Sequence, residues 1–276
     1  MTASVSAVGV HLRDWRQRRR MSQLDLACEA EISTRHLSFM ETGRAQPSRE
    51  MVLRLAERLD VPLRERNVIL VAAGFAPVYP QRPLDDPGLA AARKAVDLIL
   101  AGHEPYPALA VDRGWNLVTA NRMVAPLMAS ADASLRAAPV NVMRLTLHPL
   151  GLAPRIANLA QWRAHLLERV RRDLEATGDR GLAELMAELR SYPTPDGGRT
   201  RPPANEFAGV AVPFQIATTT GLLSFYSTTT VFGTPVDVTL SELTLETFFP
   251  ADEATAVAVK ALAAALSGAA GPLPPA

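Results

Sequence analysis

Val8, Leu12 and Trp15 recur at i, i+4 and i+7, which places them on one face of a helix with Arg13, Arg16, Arg18, Arg19 and Arg20 distributed around it. A second short helix is expected from Gln23 to Ala30, opened by Ser22 and carrying Leu24, Leu26, Ala27 and Ala30 as its apolar residues. Glu31-Ile32-Ser33 then makes a brief turn. Ser33 suits an N-cap because its hydroxyl can accept from free amides of the following turn, and Ile32 with Leu37 forms a hydrophobic staple around it. The third helix therefore starts at Thr34, with Leu37 and Met40 inward and Thr34, Arg35, Ser38 and Phe39 outward. Gly43 ends it. Ser48 caps a fourth helix in which Val52, Leu55, Ala56 and Leu59 share a face, and Pro62 opens a fifth that Gly74 and Pro77 stop.

The pattern changes after residue 76. Pro77, Pro80, Pro83 and Pro87 with Asp85 and Asp86 cannot continue a helix, so residues 77–88 read as a linker. A helix is expected from Leu89 to Leu100. Two short apolar segments follow, Ala108 to Val111 and Trp115 to Thr119, joined by the turn Asp112-Arg113-Gly114, and then a helical stretch from Asn121 to Met128. Residues 155–190 are the most helical part of this half. Tyr192 to Asn205 is a loop by its prolines and glycines. Three β-rich runs close the pattern: Val210 to Ala217, Leu222 to Phe232 and Val236 to Phe249, with one buried face implied by the alternation of Val210, Val212, Phe214 and Ile216. Two strands, helices, then three strands is a PAS-like order. The fold class expected is α followed by α/β: a five-helix N-terminal domain over residues 1–76, then a PAS-like antiparallel sheet flanked by helices over residues 89–265. Residues 266–276 form a flexible tail.

Composition narrows the function. With 48% hydrophobic and 21% charged residues, the chain has enough apolar material for packed cores. Net charge is only +1, but residues 1–80 hold twelve Arg against nine Asp and Glu, whereas the remainder is slightly acidic. The basic side is thus the N-terminal one, which suits a nucleic-acid contact made by a few placed donors. Cys28 is the single cysteine, so an intramolecular disulfide and a cysteine-based zinc site are excluded; it is expected to be a small buried residue of the second helix. The five histidines form no metal spacing, and His165-x-x-Glu168 is not a zincin motif. Neither a secretory leader nor an apolar run of about 20 residues is present, so a soluble, cytoplasmic protein without a membrane segment is expected. No nucleophile elbow, P-loop or dinucleotide fingerprint gives a handle for catalysis, and no cofactor is expected.

The string Gln23-x-x-Leu26-Ala27, continued by Ile32-Ser33, Leu37-Ser38, Met40-Glu41, Gly43-Arg44 and Pro47-Ser48, resembles the XRE/lambda-repressor-like helix-turn-helix family over residues 9–74. The resemblance implies a DNA-binding transcription regulator. It implies that Gln23 holds a phosphate, that Thr34, Arg35, Ser38 and Phe39 face bases, and that Arg16 pairs with Glu41; Ser33 and Arg44 complete the expected DNA-contacting set. Glu31 stands where the family usually has glycine. An L residue at positive φ costs on the order of 1 kcal/mol, so some strain is expected there. Plainer readings stand beside these: Arg35 as a solvated arginine, Phe39 as either a packing residue or a contact to a thymine methyl, and Arg16 with Glu41 as a surface pair.

The second half resembles the MmyB-like ligand-binding domain through His103-Glu104-Pro105-Tyr106-Pro107, Trp115-Asn116-Leu117-Val118-Thr119-Ala120-Asn121, Asn141-Val142-Met143-Arg144-Leu145, Asn158-Leu159-Ala160-Gln161-Trp162-Arg163 and Phe225 through Pro235. That resemblance implies a PAS-like sensor for a fatty-acid-like or other apolar effector. The expected wall is Trp115, Leu117, Trp162, Phe214 and Phe225, and the expected polar contacts are Asn121, Arg144 and His148. The same residues can instead be core, with Asn121 capping a helix and Arg144 paired with an acid. The regulator is expected to be a homodimer on a pseudo-palindromic double-stranded operator. Two rivals remain: a second domain that only dimerises or docks a protein partner, and a DNA-tethered enzyme.

Overall fold

The computed structural model describes residues 7–193 and 212–269. The chain divides into two compact units: Met1–Pro83 with Glu175–Gly178 and Thr234–Ser241, and Leu84–Leu174 with Asp179–Gly233 and Glu242–Ala276. No helix among the described residues is long and apolar enough to cross a membrane.

Five consecutive helices open the first unit: α1 (Ala7–Arg18), α2 (Gln23–Glu29), α3 (Thr34–Glu41), α4 (Arg49–Arg58) and α5 (Leu63–Ala72). Ser22, Ser33 and Ser48 each accept a backbone N–H as N-caps, and Asp25 reciprocates at Ser22 to complete a capping box. The apolar positions at helical spacing converge on one core, with Leu12, Leu26, Leu37, Met40, Leu55 and Ile69 fully buried. Gly9 is required by a close approach. A Cβ there would lie 2.5 Å from the Met40 carbonyl oxygen and 2.6 Å from that of Glu41, so α1 rests directly on the α3 backbone. Cys28 corrects an expectation: it is exposed, because the inward side of α2 is taken by Leu26 and Ala27.

The second unit begins with α6 (Ala90–Gly102) and is organised by a five-stranded antiparallel sheet. Its strands are β1 (Ala108–Val111), β2 (Leu117–Ala120), β3 (Phe214–Thr218), β4 (Gly221–Val231) and β5 (Thr244–Pro250), in the order β2-β1-β5-β4-β3. Along the chain, two strands, then helices, then three strands follow the PAS-like order expected from the sequence. Between β2 and β3 come α7 (Val124–Met128), α8 (Ala133–Arg136), α9 (Val142–Leu147), α10 (Leu159–Thr177) and α11 (Arg180–Ser191). A short α12 (Val238–Ser241), in the segment grouped with the first unit, precedes β5 in the chain, and α13 (Glu253–Ala269) closes the described chain. One sheet face carries Leu109, Val111, Phe214, Ile216 and Phe225 into the main core. Ala108, Ala110 and Leu245 pack with Val96 and Leu100 of α6.

Four elements differ from the sequence reading. Trp115 belongs to the turn, not to a strand: it sits at φ 64°, and Asp112 Oδ1 accepts from Gly114 N at 2.8 Å and Asn116 N at 2.9 Å, winding the chain locally. Asn121 does not begin a helix, since its side chain spans the backbone of Leu100, Tyr106, Ala108 and Met123, and α7 starts only at Val124. Val236 to Phe249 is not one strand, because Asp237 accepts from Thr239 N at 2.9 Å and turns the chain into α12 before β5. The run expected from Val210 to Ala217 is a strand from Phe214; Val210 and most of the Tyr192–Asn205 loop lie outside the described residues.

Candidate nucleic-acid interface and ligand cavity

The outward side of α3 is held by a buried ionic network. Arg16 Nε donates to Glu41 Oε1 at 2.6 Å and Nη2 to Oε2 at 2.9 Å, while Nη1 reaches the Met21 carbonyl at 2.9 Å. Gln23 Nε2 donates to Glu41 Oε2 at 2.8 Å. One carboxylate, 3% exposed, therefore ties α1, the start of α2 and the end of α3 together. The bond to Glu41 raises the Arg16 pKa above its already high ordinary value. Arg19 closes the end of α4, donating to the Leu59 and Asp60 carbonyls at 2.8 and 2.7 Å. Glu31 takes φ 55°, the left-handed conformation that the turn between α2 and α3 requires.

On this frame the side chains expected to meet DNA are at the surface. Arg35 and Arg44 are exposed, and Thr34, Ser38, Phe39 and Gln23 are half-buried. The Ser33 hydroxyl is occupied as the cap of α3, accepting from His36 N at 3.1 Å. The Arg35 guanidinium lies 5.2 Å from the centre of the Phe39 ring and that of Arg44 lies 5.8 Å from it.

The second unit contains an apolar hollow of about 80 Å³, bounded by the sheet through Phe214, Phe225 and Phe248 and by helices through Leu127, Thr146 and Trp162. Trp162 is 4% exposed, stacked on His165 at 5.1 Å and tilted against Phe214 at 5.1 Å, and its Nε1–H has no partner among the described residues. The Thr146 hydroxyl donates to the Val142 carbonyl at 2.6 Å, which leaves its oxygen able to accept. Among the described residues, no charged side chain lines the hollow. Burial and the charges of Arg169 and Arg172 lower the pKa of His165, behind Trp162.

Leu127 also borders a larger groove of about 830 Å³, lined by Leu223 and Leu262 and by Arg155. The Arg155 guanidinium is fixed by the Ala217 carbonyl at 2.8 Å and by the Ser130 hydroxyl.

Of the eight expected ligand residues, Trp162, Phe214 and Phe225 meet at the hollow, and Trp115, Leu117, Asn121, Arg144 and His148 do not line it. Asn121 is consumed by backbone bonds, as above. Arg144 grips Glu188 through Nε at 2.9 Å and Nη2 at 2.7 Å, which lowers the Glu188 pKa. His148 Nδ1 accepts from Leu150 N at 3.0 Å while its ring meets Tyr192 edge-on. Trp115 Nε1 donates to Asp173 Oδ2 at 3.1 Å, and Arg169 covers its ring at 4.8 Å. Burial raises the Asp173 pKa against that bond and the nearby arginines.

Residues overlooked in the sequence include Thr146, Leu127, Phe248 and Arg155, and the buried pair of Arg169 with Glu246, joined at 2.9 Å between Nη1 and Oε2. A lone glutamate in the β run Leu245-Glu246-Thr247 was the available signal for that pair. Nothing in the sequence pattern distinguishes the others from ordinary core or surface residues.

A helix-turn-helix domain model matches residues 7–68, and the model of the MmyB-like transcription regulator ligand binding domain matches residues 92–262. No curated protein matches the chain. Among solved structures, the clp gene regulator ClgR from C. glutamicum is 26% identical over 25% of this chain and 86% of that one, with a TM-score of 0.23. An RNA-binding Light-Oxygen-Voltage receptor is 15% identical over 95% of this chain and 63% of that one, with a TM-score of 0.24. Neither likeness bears on the argument at such TM-scores. The two family models do, since together they account for both units in order and the second alone spans more than half of the sequence. The chain is a DNA-binding transcription regulator and belongs to the family with the MmyB-like ligand-binding domain.

Proposed function

We propose that the protein is a ligand-responsive, homodimeric regulator acting in the cytoplasm, in which residues 1–76 read DNA and residues 89–265 sense an apolar small molecule. Residues 77–88 link the two. Thr34, Arg35, Ser38 and Phe39 face the major groove, and Gln23, Ser33 and Arg44 lie against phosphates. The observation that carries this reading is the Arg16–Glu41–Gln23 network, which fixes α3 while leaving Arg35 exposed. One N–H of the Gln23 amide is bound to Glu41, and its second is free to meet a phosphate oxygen. In a dimer, two α3 helices about 34 Å apart read the halves of a pseudo-palindrome.

The hollow beside Trp162 supports an effector with an apolar body. A fatty-acid-like effector needs a cation for its carboxylate, and Arg144, committed to Glu188, is poorly placed to supply one. The apolar lining of the hollow, together with the ligand-binding family model that covers it, favours the small-molecule reading over a protein partner or a bare dimer contact.

Fluorescence anisotropy with duplexes from the region upstream of the protein's own coding sequence tests the first half. Arg35→Ala should weaken specific binding by roughly 1–3 kcal/mol and leave binding to scrambled duplex nearly unchanged. Equal losses on both duplexes would remove Arg35 from base reading. Native mass spectrometry after mild extraction tests the second half by the mass of a co-purified compound.

A further inference from the structure

The cluster of Phe39, Arg35 and Arg44 goes further than a list of surface donors. Arg35 and Phe39 are i and i+4 on α3, so they share a face. Phe39 is anchored at its backbone, where its carbonyl accepts from Arg44 N at 2.8 Å and Ala45 N at 3.1 Å, folding the segment after α3 back onto it. Two guanidiniums then stand within 6 Å of its ring centre, the range in which the ring quadrupole attracts a cation. No ion pair is found for Arg35 or Arg44 among the described residues. Two like charges are thus gathered at one aromatic ring with no acid to balance them, an arrangement that favours an anionic partner.

We infer that Phe39 is a positioning residue that orients the Arg35 guanidinium to read a guanine in each half-site. This rests on the reading of α3 as the base-contacting helix. The chemistry is selective. A guanidinium is a planar fork of donors, and guanine is the base that offers two adjacent acceptors, N7 and O6, in the major groove. A ring that limits the rotamers of a long, flexible side chain lowers the entropy lost when that fork engages. Arg44, at the same ring, lies beyond the end of α3 and serves the adjacent phosphate. With two guanidiniums against it, the ring is a support for the reader; it is not itself the surface that meets a thymine methyl.

Selection of the full-length protein on a randomised duplex pool, followed by anisotropy on the enriched site and its single-base variants, tests this. The enriched site should carry one guanine per half whose replacement by adenine weakens the wild type roughly tenfold or more. Phe39→Leu should shrink that penalty to under about threefold while the penalties at other positions persist, and Phe39→Tyr should keep it. Arg35→Lys should lose it, since an ammonium lacks the fork. Thermal melting identifies any variant that fails to fold, and Phe39→Tyr against Arg35→Lys then carries the comparison.

Full discrimination retained by a folded Phe39→Leu protein overturns the inference, as does a thymine whose penalty depends on Phe39 but not on Arg35. An enriched site insensitive to every α3 substitution overturns the underlying reading of α3 instead.

Discussion

The two units solve opposite packing problems. In the helical unit the core is closed: Leu12, Leu26, Leu37, Met40 and Leu55 are fully buried, and even the buried ions of Arg16 and Glu41 satisfy each other. Everything available for recognition lies outside, on α3 and the turn after it. In the sheet unit, large aromatic side chains meet without filling the space between them, leaving a hollow and an indole N–H without a partner among the described residues. A closed core favours a rigid reader whose specificity is a matter of surface geometry. An open one leaves free energy for a ligand to supply, and such a site can bias an equilibrium between two conformations of a domain.

The sharpest break of the closed unit is Glu41→Ala. It leaves the Arg16 guanidinium buried without its carboxylate and releases Gln23, so the expected loss is about 3–5 kcal/mol in chemical denaturation. Because α3 loses its tie to α1 and α2 at the same time, DNA binding should fall with stability. A loss below about 1 kcal/mol would mean that the network is no more than a surface pair.

Adding a single carbon to each unit separates them more finely. Gly9→Ala places a methyl against the Met40 and Glu41 carbonyls, which are backbone and cannot swing aside. It should cost roughly 2 kcal/mol even though alanine is the better helix former by about 1 kcal/mol. Val142→Leu adds one methylene beside the hollow and should change stability by less than about 1 kcal/mol. It should also reduce the rise in melting temperature produced by any compound found on the purified protein. Comparable destabilisation in the two variants would show that the hollow is not free space.

The contrast also explains what could be read from the sequence. Helix caps, periodicity and the turn signal at Glu31-Ile32-Ser33 are local, and the five helices and the outward set on α3 follow from them within a residue or two. The order of strands and helices that marks the PAS-like sheet is similarly legible. Side-chain commitments across the second unit are not. Asn121 is drawn to backbone groups as distant in sequence as Leu100, Arg144 to Glu188, and Trp115 to Asp173, and no periodicity encodes such pairings. Gly9 is intermediate: a glycine inside an amphipathic helix signals a close approach, but only the tertiary structure says to what. The hollow lies beyond any local pattern because it is set by how Trp162, Phe214, Phe225 and Phe248 fail to interlock.

The smallest effect expected concerns the pair that replaces the carboxylate clamp. Arg144 and Glu188 are partly exposed, so solvent screening limits their contribution to under about 1 kcal/mol. The hydrogen bonds from Arg144 lower the Glu188 pKa below its ordinary 4.5. A depressed carboxylate stabilises the fold above its unfolded value, and that contribution disappears as pH falls through the lower folded value. Glu188→Gln should therefore lower the melting temperature slightly at pH 7, with the difference from wild type closing as pH falls from 4.5 through the lowered value and Glu188 becomes neutral like the glutamine. If Arg144 instead served an effector carboxylate, freeing it by Glu188→Gln would tighten binding of a long-chain acid. On the geometry seen here, that variant should leave effector affinity unchanged, because the guanidinium does not line the hollow.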